Sequence, residues 1–176
     1  LNDIEALSRG MLFWRCFTHW IGGMGVLVFV LALIPKSEGQ DMFLMKAEVP
    51  GPIVGKLVSK VHMTARILYG IYAFLTVIEI IFLLFGGMPL FDSIVHAFST
   101  AGTGGYAIKN SSIAFYNSYY IDMVVTVFML LFGINFNLYY LLLLKDFKQI
   151  FKSEELRWYI LIIAVFTGII TVNTLD

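Results

Sequence analysis

The sequence has little charge and almost no cysteine. Only 14% of its 176 residues are charged, and 12 basic residues balance 12 acidic ones. The chain therefore lacks the one-sided positive field that attracts nucleic acid, and we expect no nucleic-acid partner. The single cysteine, Cys16, permits neither an internal disulfide nor a thiolate metal cluster. We interpret it as a small helix residue.

Motifs for enzymatic chemistry are also missing. The sequence has no HExxH zinc motif, and Asp122 stands alone instead of forming an aspartate pair. A phosphate-binding loop needs Gly-Lys-Ser/Thr before a helix, and a dinucleotide fold needs glycines directly after a strand. Neither context is present, so we predict that the chain is not an enzyme and binds no nucleotide.

Apolar residues dominate what is present. Hydrophobic residues make up 59% of the chain, and the mean hydropathy is +0.84. One globular core of this length cannot bury so much apolar surface, so much of it must face lipid. Four windows approach the ~20 apolar residues that a membrane-spanning helix needs: 13–34, 67–85, 121–144 and 158–172. We predict an all-α membrane protein.

Glycines occur inside two of these windows. Gly22, Gly23 and Gly25 lie in the first window, and Gly133 lies at a corresponding place in the third. Small residues allow the backbones of membrane helices to approach closely. We predict that the glycines of the first window have this packing role, which requires no function of their own.

Positive charge indicates the orientation of the windows. Nine of the twelve Lys and Arg residues lie in segments 35–66 and 145–157, whereas segment 86–120 contains only Lys109. Positively charged loops remain cytoplasmic. We therefore predict that 35–66 and 145–157 are cytoplasmic loops of a multi-pass protein in the cell membrane, and that 86–120 begins and ends outside.

The external segment contains a short apolar stretch followed by glycines. Residues 90–98 cover only about half of a membrane thickness, so they can enter the bilayer without crossing it. The glycines in residues 99–106, STAGTGGY, are expected to end the helix and form a loop. Carbonyl oxygens in such a loop can replace the water around a cation. A re-entrant pore loop is one interpretation. An external connection without function is the other.

A few polar residues fall inside the apolar windows. Glu79 lies mid-window, where a charge is costly, so it is either partnered or protonated in a structural role or lies on an ion pathway. We expect Asn135 and Asn137 to brace the loop by bonding between helices. His19 and His96 lack neighbours at metal-ligand spacing, so we interpret them as interfacial or packed histidines and not as ligands.

Four separated motifs, in order, resemble one family. They are THWIGGMGVLVFVLALIP at 18–35, AEVPGP at 47–52, HAFSTAGTGGY at 96–106 and FMLLFGINFNLYY at 128–140. Together they resemble the TrkH/Ktr class of potassium-uptake proteins across essentially the whole chain. The resemblance implies four repeats of helix, pore loop and helix in one polypeptide, of which this chain would be a fragment.

The resemblance also implies domain boundaries. Residues 1–35 would end repeat one, and 36–63 would form a cytoplasmic connection. Repeat two would occupy 64–145, with its pore helix and filter loop at 89–106. Residues 146–176 would contain a second connection and the start of repeat three.

By position, the resemblance assigns potassium binding to the backbone carbonyls of Ala101, Gly102, Thr103 and Gly104. The loop has Thr-Gly-Gly-Tyr where potassium channels have Thr-Val-Gly-Tyr-Gly, which implies weaker discrimination against sodium. Transport of sodium or of monovalent cations in general, and a non-conducting scaffold, remain alternatives. The resemblance implies that potassium is the transported ion and that no cofactor is needed. It also implies three kinds of partner: membrane lipid, a second copy in a homodimer of the full-length protein, and a cytosolic nucleotide-binding regulatory subunit.

Overall fold

The computed structural model describes residues 3–25, 54–145, 150 and 152–175. These residues form six α-helices and one 3-10 helix and contain no strand, so the predicted all-α fold is confirmed. The helices are α1 (Arg9–Gly23), α2 (Val54–Phe85), α3 (Leu90–Ala101), the 3-10 helix Ser112–Tyr116, α4 (Tyr119–Phe132), α5 (Phe136–Leu143) and α6 (Glu154–Leu175).

Among the described residues, two helices are long and apolar enough to cross a membrane. They contain the spans Met63–Phe85, within α2, and Glu154–Thr174, within α6. Helix α2 has 32 residues and is about 48 Å long at ~1.5 Å per residue, which exceeds the ~30 Å of hydrocarbon. The predicted second and fourth windows are therefore helical, and the second helix begins earlier than hydropathy alone indicates.

The other two predicted windows are not continuous helices. Helix α1 ends at Gly23 and Gly25 has a φ of +83°, so the prediction of one continuous helix over 13–34 is wrong at Met24 and Gly25. Residues 26–34 and the motif at 47–52 lie outside the described residues. The third window is interrupted between Phe132 and Phe136. Both interruptions coincide with glycines of these windows.

Helix α3 is the short helix predicted before the glycine-rich loop. It has 12 residues and is about 18 Å long, too short to cross a bilayer. Pro89 precedes its first turn and Asp92 lies within that turn, where a negative charge favours the partially positive helix end. The structure extends the predicted helix from Phe98 to Ala101.

The chain divides into two compact units, Leu1–Phe132 and Gly133–Asp176. In the first unit, α1 and α3 bury an apolar cluster of Leu12, Cys16, Val95 and Ile108. In the second, the Asn135 side-chain amide donates to the Glu155 carboxylate at 2.9 Å. This bond joins the segments before α5 and at the start of α6. The bracing of the loop by Asn135 stays a prediction. The Asn137 side chain lies outside the described residues.

Candidate cation-binding loop

The loop after α3 begins as a hydrogen-bonded helix end. The amides of Gly102, Thr103 and Gly104 donate to carbonyls in the last turn of α3 at 3.0, 3.0 and 2.9 Å. These bonds satisfy carbonyl groups that a helix end otherwise leaves without partners. Of the four predicted ligand residues, Ala101 therefore ends α3, and Gly102, Thr103 and Gly104 continue directly from it.

The carbonyl oxygens of residues 101–104 have no hydrogen-bond donor among the residues that the structure describes. Thr103 has a φ of +53°, which is uncommon for a β-branched residue and is typical of sites held in shape by their surroundings. The backbone can thus supply oxygen ligands without any acidic side chain.

Helix α1 packs directly against the loop. A Cβ atom on Gly102 would lie 2.6 Å from the His19 carbonyl oxygen, and one on Gly104 would lie 3.2 Å from His19 Nδ1. A Cβ on Gly23 would lie 2.8 Å from Gly102 Cα. The two backbones are in close contact at Gly23 and Gly102, where a Cβ would meet backbone atoms, whereas Gly104 faces side chains. The predicted packing role of the glycines is confirmed for Gly23.

The end of the loop is held by a group that we call the outer clamp, formed by Arg15, His19 and Tyr106. The His19 and Tyr106 rings stack with centroids 4.9 Å apart, and the Arg15 guanidinium lies 5.3 Å from the Tyr106 ring centroid. Arg15 Nη2 donates to the Ala107 carbonyl at 2.7 Å. His19 is therefore a packed histidine, as predicted, although its packing partner belongs to the loop.

Ser99 connects the two ends of the loop through hydrogen bonds to the Tyr106 backbone. Its hydroxyl donates to the Tyr106 carbonyl at 2.6 Å and accepts from the Tyr106 amide at 3.0 Å. The side chain is 3% exposed, so water cannot easily replace either bond. Sequence reasoning missed both Ser99 and Arg15, because only the folded loop brings residues seven or ninety-two positions apart into contact.

Polar contacts also order the start of α3. The Tyr116 hydroxyl donates to the Asp92 carboxylate at 2.7 Å. Burial, with the Asp92 hydrogen bond and charge, raises the pKa of Tyr116 well above its usual range. His96 Nδ1 lies 2.9 Å from the Asp92 carbonyl oxygen, and the His96 ring packs on the Tyr116 edge. His96 therefore packs at the base of the loop.

Side chains offer no alternative metal site near the loop. Across the described ranges, no three His, Cys, Asp or Glu residues are grouped closely enough to hold a metal ion. The ion pair between Lys109 and Glu5, at 3.9 Å, and the bond from the Asn110 amide to Asp3 at 2.8 Å tie the following segment to the start of the chain. The Asn110 bond lowers the pKa of Asp3. These exposed contacts anchor the segment.

Two of the described helices are long and apolar enough to cross a membrane, which is typical of a helical membrane protein. The family model described as "Cation transport protein", TrkH, matches residues 1–175. The chain belongs to this TrkH family of cation transport proteins. Membership places it among transport proteins instead of enzymes, as predicted.

Named relatives agree with this assignment. The chain is 35% identical to the Trk system potassium uptake protein TrkH of Salmonella typhimurium, over 91% of this chain and 34% of that protein. It is 35% identical to TrkG of Escherichia coli, over 92% and 34%. The chain thus spans about a third of the length of the relatives that it matches.

A solved structure shares the fold. The potassium transporter TrkH from Vibrio parahaemolyticus matches with a TM-score of 0.58 and 30% identity, over 78% of this chain and 26% of that one. The predicted resemblance to the TrkH/Ktr class is therefore confirmed by sequence and by structure.

Proposed function

We propose that this chain forms part of a potassium-conducting pore, and that the carbonyl oxygens of residues 101–104 are one part of its selectivity filter. The observation that carries the proposal is the segment from the last residue of α3 to Gly104, whose four carbonyl oxygens accept no hydrogen bond within the described residues. A dehydrated cation needs such oxygens to replace its water shell. Names of the relatives, which are potassium uptake proteins, favour potassium as the ion.

Electrostatics of the loop also support a cation. The C-terminal end of α3, which carries a partial negative charge, leads into the turn. Residues 95–108 contain no ionised acidic or basic side chain apart from the titratable His96. A monovalent cation can therefore bind and leave again without being trapped by a fixed carboxylate.

The same proposal includes an orientation and an assembly. The lysine-rich and arginine-rich segments 35–66 and 145–157 would be cytoplasmic, and the loop would enter the cell membrane from outside. Residues 64–145 would form one of four repeats around the pore. Resemblance supports a homodimer of the full-length protein and a cytosolic nucleotide-binding regulatory subunit.

Uptake of radioactive rubidium with sodium competition tests the filter. The full-length protein would be expressed in a strain deficient in potassium uptake, with Gly104 intact or changed to Ser. We expect Gly104→Ser to abolish uptake or relax its selectivity, because its Cβ would press on His19 Nδ1 and Tyr106 Cδ2, each only 3.2 Å away. Gly70→Ser is the matched control, since nothing lies within 4 Å of a Cβ there.

Each outcome has a distinct meaning. Selective uptake that survives Gly104→Ser would overturn the filter assignment and return the loop to a connecting role. If sodium suppresses rubidium uptake by the unchanged protein as strongly as potassium does, the result would favour the non-selective alternative. Uptake absent from the parent, with the protein present in the membrane, would favour a non-conducting scaffold.

A further inference from the structure

The chain leaves α3 through a Schellman motif, a helix end in which one residue is left-handed and two amides bond back into the last turn. The Gly104 amide donates to the Ser99 carbonyl at 2.9 Å, and the Thr103 amide donates to the Thr100 carbonyl at 3.0 Å. Thr103 is the left-handed residue, with a φ of +53°. Glycine usually takes this position, so the conformation of Thr103 depends on the bonds around it.

Ser99 contacts the loop at two places. Its carbonyl accepts from the Gly104 amide at 2.9 Å. Its hydroxyl donates to the Tyr106 carbonyl at 2.6 Å and accepts from the Tyr106 amide at 3.0 Å. One residue therefore closes a ring of backbone that runs from residue 99 to residue 106, and residues 101–104 lie inside this ring.

The other contacts of the loop do not replace this bridge. Arg15 donates to the carbonyl of Ala107, one residue beyond the ring, and the His19 ring stacks on the Tyr106 side chain. Across the described part of the chain, every hydrogen bond to the backbone of residues 102–106 comes from the last turn of α3. Without the Ser99 hydroxyl, both backbone groups of Tyr106 would lose their partner in the protein.

We propose that Ser99 is a positioning residue for ion selectivity, because its hydroxyl fixes the far end of the loop and thereby the direction of the carbonyl oxygens of residues 101–104. The inference rests on the proposed function, since it concerns the same four carbonyl groups. A ring of fixed size keeps these oxygens at a distance that suits potassium or rubidium. A ring that can contract would also accommodate the smaller sodium ion. Ser99 would thus favour the larger ion without contacting it.

Removal of the hydroxyl tests the inference, and α3 provides a matched control. Ser99→Ala in the full-length protein deletes the bridge to Tyr106 and leaves the Ser99 carbonyl in place. Ser93→Ala is the control, because Ser93 is also buried in α3, at 0% exposure. Its hydroxyl donates to the Met88 and Pro89 carbonyls, at 3.3 and 3.0 Å. Both variants lose a buried hydroxyl from the same helix, but at opposite ends.

We expect Ser99→Ala to lose roughly fivefold in selectivity for rubidium over sodium, the scale of one hydrogen bond, and Ser93→Ala to stay within about twofold of the parent. Uptake would be compared at equal amounts of protein in the membrane. Equal losses in the two variants would overturn the inference, since any disturbance of α3 would then have the same effect. Unchanged selectivity in Ser99→Ala would overturn it as well.

Hydrogen–deuterium exchange of the purified full-length protein tests the bridge without any transport. The Tyr106 amide should exchange roughly fivefold faster in Ser99→Ala than in the parent, because its acceptor is gone, and at the parent rate in Ser93→Ala. Unchanged exchange in Ser99→Ala would overturn the inference whatever the uptake results show. If the parent takes up no rubidium, faster exchange in Ser99→Ala would retain the bridge but reject the proposed function and, with it, the role in selectivity.

Discussion

Gly102 is the residue whose lack of a side chain matters most to the loop. A Cβ atom there would lie 2.6 Å from the His19 carbonyl oxygen and 2.8 Å from its carbonyl carbon. These are backbone atoms of a helix, so they cannot move aside as a flexible side chain could. The contact between α1 and the loop therefore depends on glycine at this position.

We predict that Gly102→Ala lowers the stability of the full-length protein by about 1–3 kcal/mol, the usual cost of overpacking. Thermal unfolding of the purified protein in detergent would measure the change. Gly70→Ala is the control, because nothing lies within 4 Å of its Cβ position and alanine favours a helix interior. Equal melting temperatures for Gly102→Ala and the parent would contradict the described contact.

Tyr116 provides a prediction about alkaline pH. Burial and the neighbouring Asp92 raise the pKa of its hydroxyl in the folded protein. A group whose pKa is raised on folding stabilises the protein fully below its unfolded pKa, which is about 10 for tyrosine, and loses this contribution as the pH rises through the folded value. The parent should therefore lose stability steeply above about pH 10.

We predict that Tyr116→Phe flattens this alkaline loss and costs about 1–2 kcal/mol at neutral pH, since a hydrogen bond to a carboxylate is removed at a partly exposed site. Melting temperatures recorded across the alkaline range would show both effects. Tyr119→Phe serves as the control because Tyr119 is 79% exposed. An unchanged slope in Tyr116→Phe would reject this role of the hydroxyl.

Among the elements, α1 and the loop interact through the outer clamp. Arg15 contributes a charged hydrogen bond to the Ala107 carbonyl and a cation–π contact with Tyr106. The contact is short-range and partly buried, so it should couple the two segments energetically. We predict that Arg15→Met and Tyr106→Leu each destabilise the full-length protein.

A double-mutant cycle on these two substitutions should give a coupling energy of about 0.5–2 kcal/mol. Thermal unfolding of the four proteins would provide it. Trp14, exposed on the same helix, supplies a control pair when Trp14→Leu replaces Arg15→Met. If the losses in unfolding free energy of Arg15→Met and Tyr106→Leu simply add, Arg15 and Tyr106 do not stabilise each other.

The ends of the helices show which features could be predicted from the sequence alone. Pro89, Asp92 and the glycines predict α3 and its end within three residues, because capping is a local property. The ends of α1 and α4 are not predicted, although glycines mark both places. Hydropathy averages over a window and is insensitive to backbone breaks, so the windows 13–34 and 121–144 look continuous in the sequence.

For the whole molecule, orientation is the prediction that remains open to direct measurement. In the full-length protein with Cys16 and any other cysteine changed to Ala, a cysteine at Ser111 should react with an impermeant thiol reagent from outside intact cells. A cysteine at Lys152 should react only after the membrane is opened. Both positions are exposed. Labelling of Lys152→Cys in intact cells would contradict the cytoplasmic assignment of 145–157.

The sequence by itself determined the membrane class, the family, the short helix and the uncharged loop that follows it. Each is encoded locally, through apolar length, charge placement or a continuous motif. Only the tertiary structure decided what holds the loop: Gly102 against the His19 backbone, Arg15 and His19 on Tyr106, and Ser99 on the Tyr106 backbone. Most of these pairs are distant in sequence, and their contacts arise from helix packing and the folding of the loop, which a single sequence does not record.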